Sequence, residues 1–214
     1  MATISYAILT HNEGDYIESL LSFLLLNKRE QDEIVVVDDY STDEKTVEIL
    51  QKYKPHIKLD YRTFDGEHTQ KNYLNNLCTG DYILQLDADE LITKELIDAL
   101  PSILEDNSSV DIFIMPRINI VEGLTKEWID KWRWQVNDKG WVNFPDWQMR
   151  LYRNCDWVKW DGFLHSKIVG YKSYVNFPAE ELYCIIHNKK LDRQIEQNNL
   201  YDKIEQTGRQ KYKI

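Results

Sequence analysis

Basic charge is in short supply in this chain. Its 214 residues carry 26 Lys and Arg against 36 Asp and Glu, a formal charge of −10 at pH 7. A protein whose main partner is a nucleic acid needs a basic footprint for the phosphate backbone, so that class is excluded. A nucleotide is still admissible, because a bound cation can neutralise its phosphates locally. Cysteine is equally sparse: Cys78, Cys155 and Cys184 are odd in number, far apart and without Cys-x-x-Cys spacing. That argues against a structural zinc site and for a reducing compartment. No apolar run is long enough to span a bilayer, the longest being Leu20 to Leu26 with Ser22 inside it. Met1 to Thr10 has neither the basic start nor the long apolar core of a signal peptide. These absences predict a soluble, cytoplasmic protein without a transmembrane segment, with peripheral contact to a membrane left open. Internal repeats, low-complexity tracts and flexible linkers are also missing, and 214 residues suffice for one domain with its own core.

What is present alternates between strand-like and helix-like segments, the pattern of an α/β domain with a largely parallel sheet. Strands are predicted over Ile4 to Leu9, Glu33 to Val37, Ile57 to Tyr61, Tyr82 to Leu86 and Val110 to Met115. Between them, Ile17, Leu20, Leu21 and Leu24 have helical spacing, as do Leu96, Ile97, Leu100 and Leu104 behind a Thr93 cap. Ser41-Thr42-Asp43-Glu44 has the form of a capping box for a helix with Val47, Leu50 and Tyr53 on its apolar face. A further helix carries Tyr73, Leu74 and Leu77. Beyond Pro116 the pattern changes to short aromatic strands, at Trp147 to Tyr152, Trp157 to Trp160 and Tyr183 to Ile186, and all seven Trp lie after position 127. The tail from Lys190 to Tyr212 carries a thin apolar stripe and predicts a helix.

In an open α/β sheet, ligands bind outside the carboxyl ends of the strands. Three polar clusters occupy such ends: Thr10-His11-Asn12-Glu13, Asp38-Asp39-Tyr40-Ser41 and Asp87-Ala88-Asp89. Each taken singly could be a turn or a helix cap. Together they gather five carboxylates, Glu13, Asp38, Asp39, Asp87 and Asp89, at one rim, where like charges repel unless a cation or a donor-rich ligand compensates. Two carboxylates one residue apart at a strand end also suit a hard cation held against a diphosphate.

These motifs, with Gln70-Lys71-Asn72 and the Gly80-Asp81-Tyr82 lead-in to Asp87, resemble in order and spacing the family 2 glycosyltransferases of the GT-A fold. The resemblance covers residues 3–117 and continues more thinly through Pro145-Asp146-Trp147-Gln148-Met149-Arg150 and Gly162-Phe163-Leu164-His165. There it is similar to the branch that includes bacterial lipopolysaccharide-core glucosyltransferases. It implies a single GT-A domain with a mixed, mostly parallel sheet flanked by helices. Residues 1–117 would be the nucleotide-sugar-binding half, 118–189 the acceptor-binding half and 190–214 a C-terminal helix. The implied activity is inverting, metal-dependent transfer from a nucleoside-diphosphate sugar, UDP-linked by expectation, to a saccharide or glycoconjugate hydroxyl.

The resemblance also implies roles. Thr10, Asn12 and Glu13 would line the base and ribose pocket, and Asp39, with Asp38 beside it, would accept from the uracil imide N–H. Asp87 would contact ribose with Ala88 next to it, Asp89 would bind the metal, and Lys71 would face the diphosphate unless it is an exposed helix lysine. His165 would be a third ligand, favouring Mn²⁺ over Mg²⁺, or simply a loop histidine; the His-Glu of the related branch is His165-Ser166 here. Asp146, four residues before Arg150, would be the catalytic base, with Asp161 as the second choice. Trp141, Trp147 and Trp160 would stack on acceptor sugars or belong to the core. A sugar-phosphate nucleotidyltransferase would want a Gly-rich, Arg-containing loop after the first strand, which Thr10 to Gly14 lacks. The remaining alternative is a saccharide-binding module without catalysis.

Overall fold

In the computed structural model, which describes residues 1–162, 166–196 and 198–199, the chain begins with strand β1 (Ile4–Thr10), helix α1 (Ile17–Asn27) and strand β2 (Glu33–Asp38). Helix α2 (Glu44–Tyr53), β3 (Lys58–Tyr61), α3 (Glu67–Leu77), β4 (Tyr82–Asp87), β5 (Glu90–Leu91) and α4 (Lys94–Asp106) follow. The second half comprises β6 (Ile112–Glu122), α5 (Lys126–Trp132), β7 (Val142–Arg153), β8 (Lys159–Asp161), β9 (Lys167–Val169), β10 (Tyr174–Asn176) and β11 (Ile185–Lys190). Among the described residues the main sheet runs β3-β2-β1-β4-β7-β6-β11-β5, with β10 also on β6, while β8 and β9 form a separate hairpin. One sheet therefore passes through both halves of the sequence.

Strand direction decides where a site can form. β1 pairs parallel with β2 and β4, β7 is antiparallel to both β4 and β6, and β11 is parallel to β6. The carboxyl ends of β1, β2, β4, β6 and β11 consequently share one edge with the beginning of β7. Register brings Thr10 opposite Asp38 and Leu9 opposite Asp87, and farther along it pairs Arg117 with Asp146 and His187 with Asn119.

Apolar faces hold this sheet from both sides. Ile17, Leu20, Leu21 and Leu24 of α1 and Leu96, Ile97, Leu100 and Leu104 of α4 are buried on one face, as their spacing predicts. Each such side chain contributes about 1.5–3 kcal/mol by leaving water. Leu74 of α3 joins Trp160 and Ile168 of the hairpin on the other. Gly80 sets the start of β4, since a Cβ there would meet the Ser5 nitrogen at 2.7 Å.

Several details differ from expectation. Helix α2 is capped by Asp43, whose carboxylate accepts from the Thr46 N–H at 2.8 Å, because Ser41 is engaged by Asp38. Its buried face is Thr46, Ile49, Leu50 and Tyr53, with Val47 turned outward. Strand β6 continues through Pro116, which has no N–H for a ladder, by irregular registers on both sides. Helix α5 was not signalled by apolar periodicity and buries none of its residues. Strand β11 extends to Lys190, past the predicted end at Ile186. In the tail, residues 191–196 are helical, and most of the predicted helix beyond them lies outside the described residues.

Candidate active site

The ends of β1 and β2 build a backbone cradle. Asn12, in the left-handed region at φ 56°, accepts on Oδ1 from the Thr42 and Asp43 N–H groups at 2.8 and 2.9 Å. Buried Asp38 accepts from the Ser41 N–H at 2.9 Å and the Ser41 hydroxyl at 2.5 Å. Both side chains are thus spent on shaping the 39–43 loop. Asp39 is different: Oδ1 accepts from the Phe64 N–H at 2.8 Å, while Oδ2 lies 3.9 Å from the His11 ring. It is the carboxylate of the two that a ligand can reach, 26% exposed where Asp38 is buried. The Thr10 hydroxyl beside it is buried without a hydrogen-bond partner among the described residues, a donor in reserve at this rim.

At the end of β4 the acidic turn divides its labour. Asp87 takes a two-pronged pair from Arg150 of β7, Nη1 to Oδ1 at 3.0 Å and Nη2 to Oδ2 at 2.5 Å. Burial would raise its carboxyl pKa, but Arg150 outweighs that and holds it well below the usual range. Fully buried Glu90 is the hub beneath: it accepts from the Asp87 N–H at 2.9 Å, from Arg117 at 2.9 Å and from Arg150 at 3.1 Å. Ala88 packs into the core, so its backbone alone faces the rim. Lys71 is not an exposed helix lysine. It is buried over the Trp160 ring, 3.9 Å from the centroid, paired with Glu67 at 2.5 Å, and burial followed by Arg150 lowers its pKa.

Asp89 turns to the opposite side, toward the C-terminal segment. Its Oδ2 lies 3.3 Å from Nε2 of His187 on β11 and 3.3 Å from the Arg193 guanidinium. Burial pushes its carboxyl up, and the His187 contact pulls it below the ordinary value. Arg193 also holds both Glu13 oxygens at 2.7 Å and stacks on Tyr16; burial still leaves the Glu13 pKa raised. His165 lies outside the described residues, and the histidine found at Asp89 is His187. Among the described residues no three His, Cys, Asp or Glu side chains converge as a cage. One carboxylate and one imidazole suit an ion that takes its other ligands from a diphosphate, as Mn²⁺ and Mg²⁺ do in nucleotide sites.

Across the rim, Asp146 sits 27% exposed near the start of β7. Its Oδ2 accepts from Arg117 Nε and Nη2 at 2.9 and 2.7 Å and from Asn119 Nδ2 at 2.9 Å, and Oδ1 accepts from Gln148 at 2.7 Å. A carboxylate has about four lone-pair sites, so Oδ1 keeps capacity for one more proton donor. Asp161 is exposed on the β8–β9 hairpin, where it accepts from the Gly162 N–H. Trp160 is a core residue, its indole N–H bonded to the Tyr152 hydroxyl at 3.1 Å, whereas Trp147 is 41% exposed and Trp141 packs against Phe144 with the rings inclined at 60°.

The family model described as Glycosyl transferase family 2 matches residues 5–173, which includes Thr10, Asp39, Asp87, Asp89 and Asp146 and ends before His187 and Arg193. The chain belongs to glycosyl transferase family 2. Among its relatives, an uncharacterized glycosyltransferase of Rickettsia conorii is 34% identical over 105 residues, 49% of this chain and 35% of that protein. The poly(ribitol-phosphate) beta-N-acetylglucosaminyltransferase TarS of Staphylococcus aureus is 32% identical over 126 residues, 56% of this chain and 22% of that protein. The chain therefore spans about a third or less of the length of these relatives. The crystal structure of S. aureus TarS 1–349 in complex with UDP-GlcNAc superposes with a TM-score of 0.62 at 19% identity, covering 88% of this chain and 59% of that one. At that identity the likeness speaks to the fold, and it bears out the GT-A architecture expected for a family 2 member. Thr10, Asp39, Asp87 and Asp89 lie along one rim, and Arg117, Asn119, His187 and Arg193, which were not anticipated, lie there too. The alternation of β6 carried a signal for the first two: Arg117 and Asn119, two residues apart, share a face.

Proposed function

We propose that this family 2 domain carries out inverting transfer from a nucleoside-diphosphate sugar, UDP-linked by preference, to a hydroxyl of a saccharide or glycoconjugate. The observation that carries it is the convergence, on one sheet edge, of an accessible Asp39, a two-sided Asp87-x-Asp89 turn and, across from them, Asp146. Asp39 accepts the imide N–H of the base, and Thr10 and Glu13 border the pocket that the Asn12 and Asp38 loop shapes. Asp87, aimed by Arg150, keeps one lone pair on each oxygen for ribose hydroxyls. Asp89 and His187 would hold a divalent cation; His165, the further ligand that the family resemblance implies, lies outside the described residues. When bound, such an ion neutralises charge on the departing diphosphate, and Lys71 adds positive charge on the same side. Asp146 takes the acceptor proton on Oδ1 as the hydroxyl attacks, with its position on the central sheet favouring it over Asp161.

UDP should raise the melting temperature only with Mn²⁺ or Mg²⁺ present. Saturation at a hundred times the dissociation constant adds about 2.7 kcal/mol, which for a domain of this size is a shift of roughly 5–10 °C. Differential scanning fluorimetry across UDP, GDP, dTDP and ADP checks this; an unchanged melting temperature with every nucleotide and metal would sink it.

A further inference from the structure

The hydrogen bonds running from Asp89 to Asp146 meet at a single side chain. Asn119 of β6 donates from Nδ2 to Asp146 Oδ2 at 2.9 Å, and its Oδ1 lies 2.9 Å from Nδ1 of His187, whose Nε2 is 3.3 Å from Asp89 Oδ2. We propose that Asn119 is a positioning residue that orients the cation ligand His187 and the base Asp146 together. This rests on the roles given to those two residues above.

The polarity of the chain follows from what each group can do. Ionised Asp146 can only accept, and its Oδ2 already receives two N–H donors from Arg117. The amide of Asn119 must therefore turn its NH₂ toward Asp146, since its oxygen there would face another oxygen. That leaves Oδ1 toward the imidazole, so Nδ1 of His187 must carry a proton. Nε2 then faces the acceptor-only carboxylate of Asp89 as an N–H donor while no cation is bound, and it is the nitrogen whose lone pair a cation would take up on displacing that proton; neither ring flip nor tautomer exchange can move it without breaking the hydrogen bond to the Asn119 amide. A histidine that ligates a cation is ordinarily fixed in this manner by an acceptor at its other nitrogen. Here the acceptor is the same group that holds the base. The backbone supports the arrangement, since Asn119 is in register with His187 on β11 and lies two residues from Arg117, which pairs with Asp146 across β7. The side chains facing Asp146 are Arg117 and Asn119 from β6 and Gln148 from its own strand.

Asn119→Ala removes both bonds, whereas Asn119→Asp keeps an acceptor for Nδ1–H and loses the donor to Asp146. ¹⁵N and ¹³C NMR of the intact protein should find Nδ1 of His187 protonated in the wild type and in Asn119→Asp. In Asn119→Ala the neutral ring should gain the Nε2–H form. The Asp146 carboxyl should titrate at least half a pH unit higher in both variants. Mn²⁺ titrations followed by electron paramagnetic resonance should show at least fivefold weaker binding by Asn119→Ala and binding within about twofold of wild type by Asn119→Asp. A wild-type His187 protonated on Nε2 alone would overturn the proposal, as would an Asp146 titration indifferent to both variants or equal Mn²⁺ affinity in wild type and Asn119→Ala. The NMR arms need no ligand, so a wild type that binds no Mn²⁺ defeats the metal assignment of the site and leaves Asn119 judged by the other two.

Discussion

Asp146→Asn should lower sugar transfer by about 10²–10⁴-fold, the range a positioned general base supplies, while leaving the metal-dependent nucleotide shift in melting temperature intact. The amide oxygen can still accept from Arg117 and Asn119, so the loss would be one of proton acceptance and not of fold. The same bonds set the pH range. Burial raises the Asp146 pKa, but the Arg117 charge and the bonds from Asn119, Arg117 and Gln148 outweigh it and bring it below the ordinary 3.8. A base with a lowered pKa stays ionised above it. Transfer should therefore persist through mildly acidic conditions and fall only below about that pH, as far as this group is concerned. Initial rates of donor consumption across pH, in wild type and variant, test both statements; undiminished turnover by Asp146→Asn would move the base elsewhere, Asp161 being next.

Glu90→Ala should cost about 3–5 kcal/mol of stability, the usual penalty for removing one partner from a buried ion network. Glu90 is fully buried between Arg117 and Arg150, and its loss would leave two guanidinium groups sharing Asp87 and Asp146. At 2–4 °C per kcal/mol for a domain of this size, the melting temperature should drop by roughly 6–20 °C. Removing an exposed partner, as in Asp15→Ala opposite Lys45, should leave it essentially unchanged, since solvent screens such a pair. Equal effects of the two substitutions would refute the special place given to Glu90. Acid should act on the same network through Asp87. Its folded pKa is depressed from 3.8, so the stability it lends is present above that value and drains away as pH falls toward the folded pKa.

The parallel half of the fold was legible because each of its elements is a local pattern. The buried runs of β1, β2 and β4 and the helical spacing of Ile17 to Leu24 and Leu96 to Leu104 name themselves, and the carboxylates at three strand ends then fall together by topology. The second half was less so. Pro116 and the polar character of β11 hid strand continuity that only pairing across β6 and β7 supplies. Ser41 looked like a cap until Asp38 claimed it. The site residues that were missed, Arg117, Asn119, His187 and Arg193, act through partners 27 to 180 positions away, and no local spacing encodes such contacts. Lys71 and Trp160 show the converse, since their mutual stacking turns two apparently accessible side chains into one buried unit.

The most direct test is donor hydrolysis without acceptor. The purified protein is incubated with UDP-, GDP- and dTDP-sugars and Mn²⁺, and released nucleoside diphosphate is measured. One donor class should be hydrolysed, and the activity should disappear on chelation of the metal and in Asp89→Ala. Failure to hydrolyse any of these donors, or hydrolysis that survives Asp89→Ala unchanged, would contradict a metal-dependent transferase centred on this rim.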